Sequence, residues 1–403
     1  MRLRQFSPRI LIGCILGFCL SLTLHACQVK PPESPVPQPT VSTIQAEQKP
    51  AQQVSPETAA ILKSAGPNGL LNPPRGDVRL AVISDLNAAY GSTDYDPEVD
   101  KAIALIPYWQ PDMVVCSGDM VAGQSPTLSK EKIRAMWAAF DEHVAAPLRR
   151  AKLPYGFTIG NHDASSALGV NKNFLFQQER DLAAEYWKDP AHDPGVKFID
   201  KFEFPFYFTF EYKDIFFMVW DGSSSFIPKE KLDWVEKSLA SPKAQAAKMR
   251  ILLSHLPLYS VAIGRNQPGD VMQNADQLRA MLERYKVHTY ISGHHHSYYP
   301  GHRGNLQLLH TGILGSGPRP LLEGRVRPWK ALTILDINYN SPELTTYTTY
   351  DIQTLKLIKY EQLPRFLTGH NGIVLRRDVE FNELTAQEKS ACNSRLGSKL
   401  CQG

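Results

Sequence analysis

The chain has 403 residues, 43% of them hydrophobic and 21% charged, with a formal charge of +4, proportions that suit one large globular domain, or two ordinary ones, with appendages. Residues 1–26 carry three arginines and no acid, so without them the charge falls to +1, and a nearly neutral chain lacks the electrostatic footprint of a nucleic-acid binder. Three of the six cysteines lie within the first 27 residues, which leaves too few for the closed cysteine-rich sites of a structural zinc protein.

Arg2, Arg4 and Arg9 precede an apolar run, Ile10 to Leu24, that ends in Leu24-His25-Ala26-Cys27. This is the order of a secretory signal. A small residue before a cysteine resembles the lipobox of bacterial lipoproteins, in which Cys27 is lipidated and residues 1–26 are removed. The alternative is an uncleaved membrane anchor, because the run is close to the length that spans a bilayer. Either way, the expected location is the bacterial cell envelope, exported and tethered at the periplasmic or outer surface. Residues 27–75, rich in Pro, Gln, Ser and Val at their start, read as a semi-extended tether.

A first strand over Val78–Ser84 ends at Asp85-Leu86-Asn87. Asp96 suits an N-cap and Pro97 the first turn of a helix carrying Val99, Ile103 and Ile106. A second strand, Met113–Cys116, runs into Gly118-Asp119, with Cys116 expected as a buried thiol. A second helix spans about Ser129 to Arg150. The third strand, Tyr155–Ile159, runs into Gly160-Asn161-His162-Asp163. Residues 164–204 form an insert, helical from Phe174 to Trp187, that is either a lid or packed on the body. Phe206–Glu211 and Ile215–Trp220 read as a hairpin, and Pro228 opens a helix. Ile251–Ser254 leads to His255, and Val287–Ser292 to Gly293-His294-His295-His296. Ala331–Ile337 and Leu344–Tyr350 are expected to complete a second sheet. The extension 361–403 is weakly patterned and receives no role, although Cys392 and Cys401 are expected to pair in an oxidising compartment.

This alternation of strand and helix argues for an α/β fold, in which sites form at the carboxyl ends of strands. Five strand-like runs end in metal-capable residues: Asp85, Asp119, Asn161 with His162, His255, and His294 with His296. In order and context these blocks resemble the calcineurin-like metallophosphoesterase superfamily, whose pattern is D-x-H, G-D, G-N-H-D/E, a lone histidine and G-H-x-H. Asn87 departs from it, standing where the pattern has histidine.

The resemblance implies a four-layer sandwich of two mixed β-sheets flanked by helices over residues 76–360, and two divalent or trivalent transition metal ions. Mixed nitrogen and oxygen donors suit Mn, Fe, Zn or Co. Asp85, Asp119, His296 and Asn87 would hold one ion, and Asp119, Asn161, His255 and His294 the other, with Asp119 bridging. Asn87 is open to three readings: a direct ligand, a ligand through water, or a position left open and filled by another, unidentified residue. His162 would face the leaving-group oxygen, with Asp163 orienting its imidazole or serving only as a turn carboxylate. His295 reads as a spacer between two ligands. Gly312–Gly317 reads as a loop at the mouth of the site, where Tyr298, Tyr299, Arg303 and Arg319 are candidate contacts for an anionic substrate. The implied activity is hydrolysis of a phosphomonoester or phosphodiester by a bridging hydroxide. The alternative is a degenerate relative that binds metal or anion in the envelope without turnover. Nothing in the sequence fixes an oligomeric state.

Overall fold

The computed structural model describes residues 54–66 and 69–402. The expected signal segment, Cys27 and the tether up to residue 53 lie outside these. Within the later part of that tether, Pro56–Ser64 forms a helix capped by the Ser55 side chain. Thr58 docks it on the body by donating to Ala104 O at 2.7 Å. No helix among the described residues is long and apolar enough to cross a membrane.

Six strands form one sheet: β1 (Val78–Ile83), β2 (Met113–Cys116), β3 (Tyr155–Phe157), β11 (Ala331–Ile337), β12 (Thr345–Asp351) and β13 (Lys356–Leu357), in the order β13-β12-β11-β1-β2-β3. Nine form the other: β4 (Lys197–Glu203), β5 (Tyr207–Tyr212), β6 (Ile215–Val219), β7 (Met249–Leu253), β8 (Thr289–Ser292), β9 (Tyr298–Arg303), β10 (Leu306–Thr311), β14 (Phe366–Gly369) and β15 (Gly372–Arg376), in the order β14-β15-β9-β10-β8-β7-β6-β5-β4. Both sheets are mixed. β1, β2 and β3 run parallel, as do β6, β7, β8 and β10, and their neighbours are antiparallel. Parallel strands need both faces covered, and β1, β2, β3, β6, β7 and β8 are buried throughout. The sheets meet through aromatic rings, Phe157 of β3 standing 5.5 Å from Phe208 of β5. Helices complete the flanks, making the α/β sandwich of two mixed sheets that the sequence led us to expect.

Several expectations change. β11 and β12 do not complete the second sheet; β11 lies antiparallel to β1 in the first. A buried bidentate pair locks that register, Arg79 Nε and Nη2 reaching Asp336 Oδ1 and Oδ2 at 2.9 and 3.0 Å. Asp96 occupies the N-cap position without capping through its side chain, which instead accepts from Ser316 Oγ and Lys330 Nζ. Tyr298, Tyr299 and Arg303 are not substrate contacts. They are buried in β9, where Arg303 donates to Ile373 O and Leu400 O. In the insert, the helix Gln177–Lys188 belongs to the body, with Trp187 stacked 3.8 Å from Phe157, whereas Leu168, Val170, Phe174 and Leu175 are exposed. The segment after residue 361 supplies β14, β15 and the helix Ala386–Leu396, closed by the Cys392–Cys401 disulfide.

Candidate metal centre

The parallel strands of both sheets deliver polar residues to one place. Asp85 follows β1, Asp119 follows β2, Asn161 follows β3, His255 follows β7, and His294 and His296 follow β8. The chain turns sharply to do so: Asp85, Asp119, His294 and His296 have φ of 50, 55, 64 and 53°. Four non-glycine residues in the left-handed region store strain that the surrounding packing must hold. Backbone bonds lace the loops together, with Leu86 N–H donating to Asp119 O at 2.8 Å and Gly293 N–H to His255 O at 3.0 Å. Glycine is required where loops touch. A Cβ on Gly293 would lie 2.4 Å from Asp85 Oδ2, and one on Gly160 2.2 Å from Asp119 Oδ1.

Asp85, Asp119 and His255 are 0–1% exposed, and each offers a ligand atom within 4.8 Å of the others. Ser117 O, an acceptor only, lies 2.8 Å from His255 Nδ1, so the ring proton sits on Nδ1. The opposite nitrogen, Nε2, faces Asn161 Oδ1 at 2.8 Å and Asp119 Oδ2 at 3.2 Å. His294 Nδ1 faces the same Asn161 oxygen at 2.9 Å, which is oriented by donation from Asn161 Nδ2 to Gln124 Oε1 at 2.7 Å. His296 repeats the pattern. Its Nδ1–H goes to Gly317 O at 3.0 Å, leaving Nε2 3.3 Å from Asp85 Oδ1.

At His255 and His296 lone pairs therefore face lone pairs, and two carboxylates are buried with no lysine or arginine against them among the described residues. Such a cage is stable only around positive charge. Without a cation a proton serves: burial opposes it, yet the Asp119 charge lifts His255 to about 9. In the same way His255 and His162 hold Asp119 below the usual carboxylate range despite its burial. Asp119 Oδ2 is left buried without a hydrogen-bond partner among the described residues. Nitrogen and oxygen donors, orphaned and convergent, fit a transition metal ion.

The other expected site residues fall around this cage. Asn87 is buried beside it, its N–H donating to Asp119 O at 3.2 Å, and no hydrogen bond joins its amide to Asp85 or His296. His162 is half-buried, with Nδ1 donating to Gly123 O at 3.1 Å. Tyr90, 66% exposed, lies with its ring 5.0 Å from that imidazole. Asp163 does not orient His162. Its Oδ1 accepts from Met120 N–H and Val121 N–H at 2.7 and 2.9 Å, and its Oδ2 from Gly160 N–H at 2.7 Å. The side chain therefore ties the loop after β2 to the loop after β3, and burial together with the Asp119 charge pushes it up to about 7. His295 is fully buried and points elsewhere, its Nε2 on Asp270 O at 3.0 Å. Gly312–Gly317 packs against the end of β1, Gly315 N–H donating to Asp85 O at 2.8 Å.

Sequence reasoning missed Ser84, which donates to Asp85 Oδ2 at 2.5 Å, and Gln124. A hydroxyl next to a predicted ligand and a polar residue closing the Gly118–Gly123 loop were the available signals. Asp270 was missed as well, its Oδ1 3.8 Å from His294 Nε2. It sits in an irregular loop with no local pattern to mark it.

The sequence model of the family described as calcineurin-like phosphoesterase matches residues 78–298. No curated protein matches the chain significantly. Among solved structures, a purple acid phosphatase from yellow lupin (Lupinus luteus) seeds is 18% identical over 72% of this chain and 54% of its own, with a TM-score of 0.49, so this chain spans about half the length of that protein. GAP50, the anchor in the inner membrane complex of Plasmodium, is 15% identical over 70% of this chain and 87% of its own, with a TM-score of 0.43. A phosphoesterase from E. coli is 11% identical over 70% of this chain and 97% of its own, with a TM-score of 0.32.

Proposed function

We propose, from the premise that this chain belongs to the calcineurin-like phosphoesterase family, that it is a metal-dependent hydrolase of phosphate esters. The observation that carries the reading is the cage in which buried Asp85, Asp119, Asn161, His255 and His294 and half-buried His296 meet, with Asp85, Asp119 and His255 offering ligand atoms within 4.8 Å of one another. Asp85, Asn87, Asp119 and His296 would hold one ion, and Asp119, Asn161, His255 and His294 a second. When bound, such ions draw charge from phosphoryl oxygens and lower the pKa of water toward neutrality.

The chain's own groups do the rest. Asp119 turns Oδ2 to His255 while its Oδ1 accepts from His162 N–H at 2.8 Å. That bond sets His162 at the rim. With Nδ1 committed to Gly123 O, His162 Nε2 is the nitrogen free to hold a proton for the departing alkoxide. Exposed Tyr90 stands beside it, on the side we assign to the leaving organic group. Asn87, a neutral donor in place of imidazole, favours a second reading in which the Asp85–His296 side binds its ion weakly and the protein binds metal or anion without turnover.

The deciding experiment loads the purified chain separately with Mn, Fe, Zn or Co, counts bound metal, and assays chromogenic mono- and diesters beside Asp119→Ala and His162→Ala. Hydrolysis that requires Asp119 supports the enzyme. Bound metal with no turnover above the Asp119→Ala background favours the second reading. For localisation we keep the expectation of lipidation at Cys27 and attachment to the bacterial envelope; an N-terminal peptide without a lipid mass would remove it.

A further inference from the structure

Beside the cage, two guanidinium groups are brought together by a short antiparallel pairing. Ala262 bridges Leu321, Ile263 N–H donates to Pro320 O at 2.9 Å, and Leu322 N–H donates to Val261 O at 2.9 Å. In this register Gly264 lies opposite Arg319, and a Cβ on Gly264 would stand 2.9 Å from Arg319 Nη1. Gly264 also has a φ of 78°. The backbone conformation disfavours a side chain there, and its absence leaves room for the guanidinium. Arg319 is fixed to the cage through its backbone, its N–H donating to His296 O at 3.0 Å. Arg265, next to Gly264, places Nη1 3.2 Å from Asp270 Oδ1, the oxygen that lies 3.8 Å from His294 Nε2.

The local charges do not balance. Asp270 is the carboxylate acting on both arginines, and it is already paired with Arg265. The Nε of each arginine and Asp270 Oδ2 are buried with no hydrogen-bond partner among the described residues. Guanidinium offers only donors, in a planar fork that matches an oxyanion. His294 turns Nδ1 toward Asn161 and Nε2 toward Asp270, so Asp270 and its partner Arg265 adjoin this ring. Arg319, bonded through its backbone to His296, and Arg265, joined through Asp270 to His294, thus border the cage.

We propose that Arg265 and Arg319 form a subsite for a second anionic group, a phosphoryl or a carboxylate, on the same substrate whose ester is cleaved. The substrate class is thus a phosphate ester bearing a further oxyanion, which rests on the hydrolase reading and deepens it. The test is calorimetric binding of methylphosphonate, methylenediphosphonate and phosphonoacetate to the purified chain in its isolated metal state. None of these can be hydrolysed, so the outcome is separate from whether esters are turned over. Methylenediphosphonate or phosphonoacetate should bind at least tenfold tighter than methylphosphonate, and which one does so identifies the second group. Arg319→Gln and Arg265→Gln should each remove most of that advantage, Arg319→Lys should remove part of it, and Arg325→Gln, at an exposed position elsewhere, should keep it. No advantage in the parent chain, or an advantage unchanged in both glutamine variants, overturns the proposal. Unfolding midpoints of the variants confirm that each loss of binding comes from a folded protein.

Discussion

His162 and Asp163 are neighbours in sequence with opposite duties. His162 has Nδ1 bonded to Gly123 O, with no hydrogen bond at Nε2 among the described residues, whereas Asp163 spends both oxygens on backbone N–H groups. His162→Ala should lower kcat by about 10²–10⁴-fold with little change in unfolding midpoint. Asp163→Asn should instead cost about 1–3 kcal/mol of stability, because buried donors lose an acceptor, and denaturation curves of the two variants separate the roles. Asn87 admits a parallel test. Imidazole is the stronger donor, so Asn87→His should raise metal occupancy on the Asp85–His296 side, read by metal counting at limiting metal. Unchanged occupancy in both forms would remove Asn87 from the coordination shell. These ligand positions were legible because each follows an apolar run directly. Arg265, Asp270 and Gln124 were not, because loop geometry rather than any run brings them to the site.

At the scale of elements, β1, β2, β3, β7 and β8 could be read from sequence since each is a short buried run ended by glycine or a polar residue. β9 could not: Tyr-Tyr-Pro-Gly-His-Arg has neither alternation nor apolar continuity, and its burial comes from strands on both sides. Nor could the sheet of β11 and β12 be known, because pairing with β1 depends on contacts distant in sequence. The C-terminal strands gain their meaning from tertiary position. β14 and β15 add to the second sheet, and their turn holds the Arg265 loop through His370 N–H to Asn266 Oδ1 at 2.7 Å and Asn371 Nδ2 to Leu258 O at 2.8 Å. Ile373 N–H donates in turn to Leu400 O beside Cys401. The disulfide closes a loop with a separation of 9 residues, and its loss should destabilise this terminal unit by about 2–3 kcal/mol. Cys392→Ser with Cys401→Ser, followed by urea denaturation, measures this. An unchanged midpoint would show that the small cluster of Ile373, Leu375, Val379 and Leu384 suffices without the bond.

For the whole molecule, buried neutral histidines set the acid limit. Burial pushes His310 down to about 3, and burial with the Arg377 charge lowers His288 to about 4. The unfolded chain takes up these protons near 6.5. Their contribution is therefore complete above about pH 6.5 and is lost as the pH falls toward 3, at up to about 1.4 kcal/mol per unit for each group. His310 has no hydrogen-bond partner at either nitrogen among the described residues, so His310→Leu should preserve stability at pH 7 and flatten its decline between pH 6.5 and 4. Equal slopes for the two proteins would exclude the histidine as a cause.

The whole fold also serves one end: two sheets present their strand ends to a cage too crowded with lone pairs to exist without positive charge. Metal content and ester hydrolysis, measured on the same preparation of the parent chain and of Asp119→Asn, test this most directly. The expected result is bound transition metal with ester hydrolysis in the parent, up to two ions per chain, and loss of both when Asp119 is neutralised. A parent chain that retains no Mn, Fe, Zn or Co after loading would contradict the metal assignment, as would an Asp119→Asn chain that binds and hydrolyses as well as the parent.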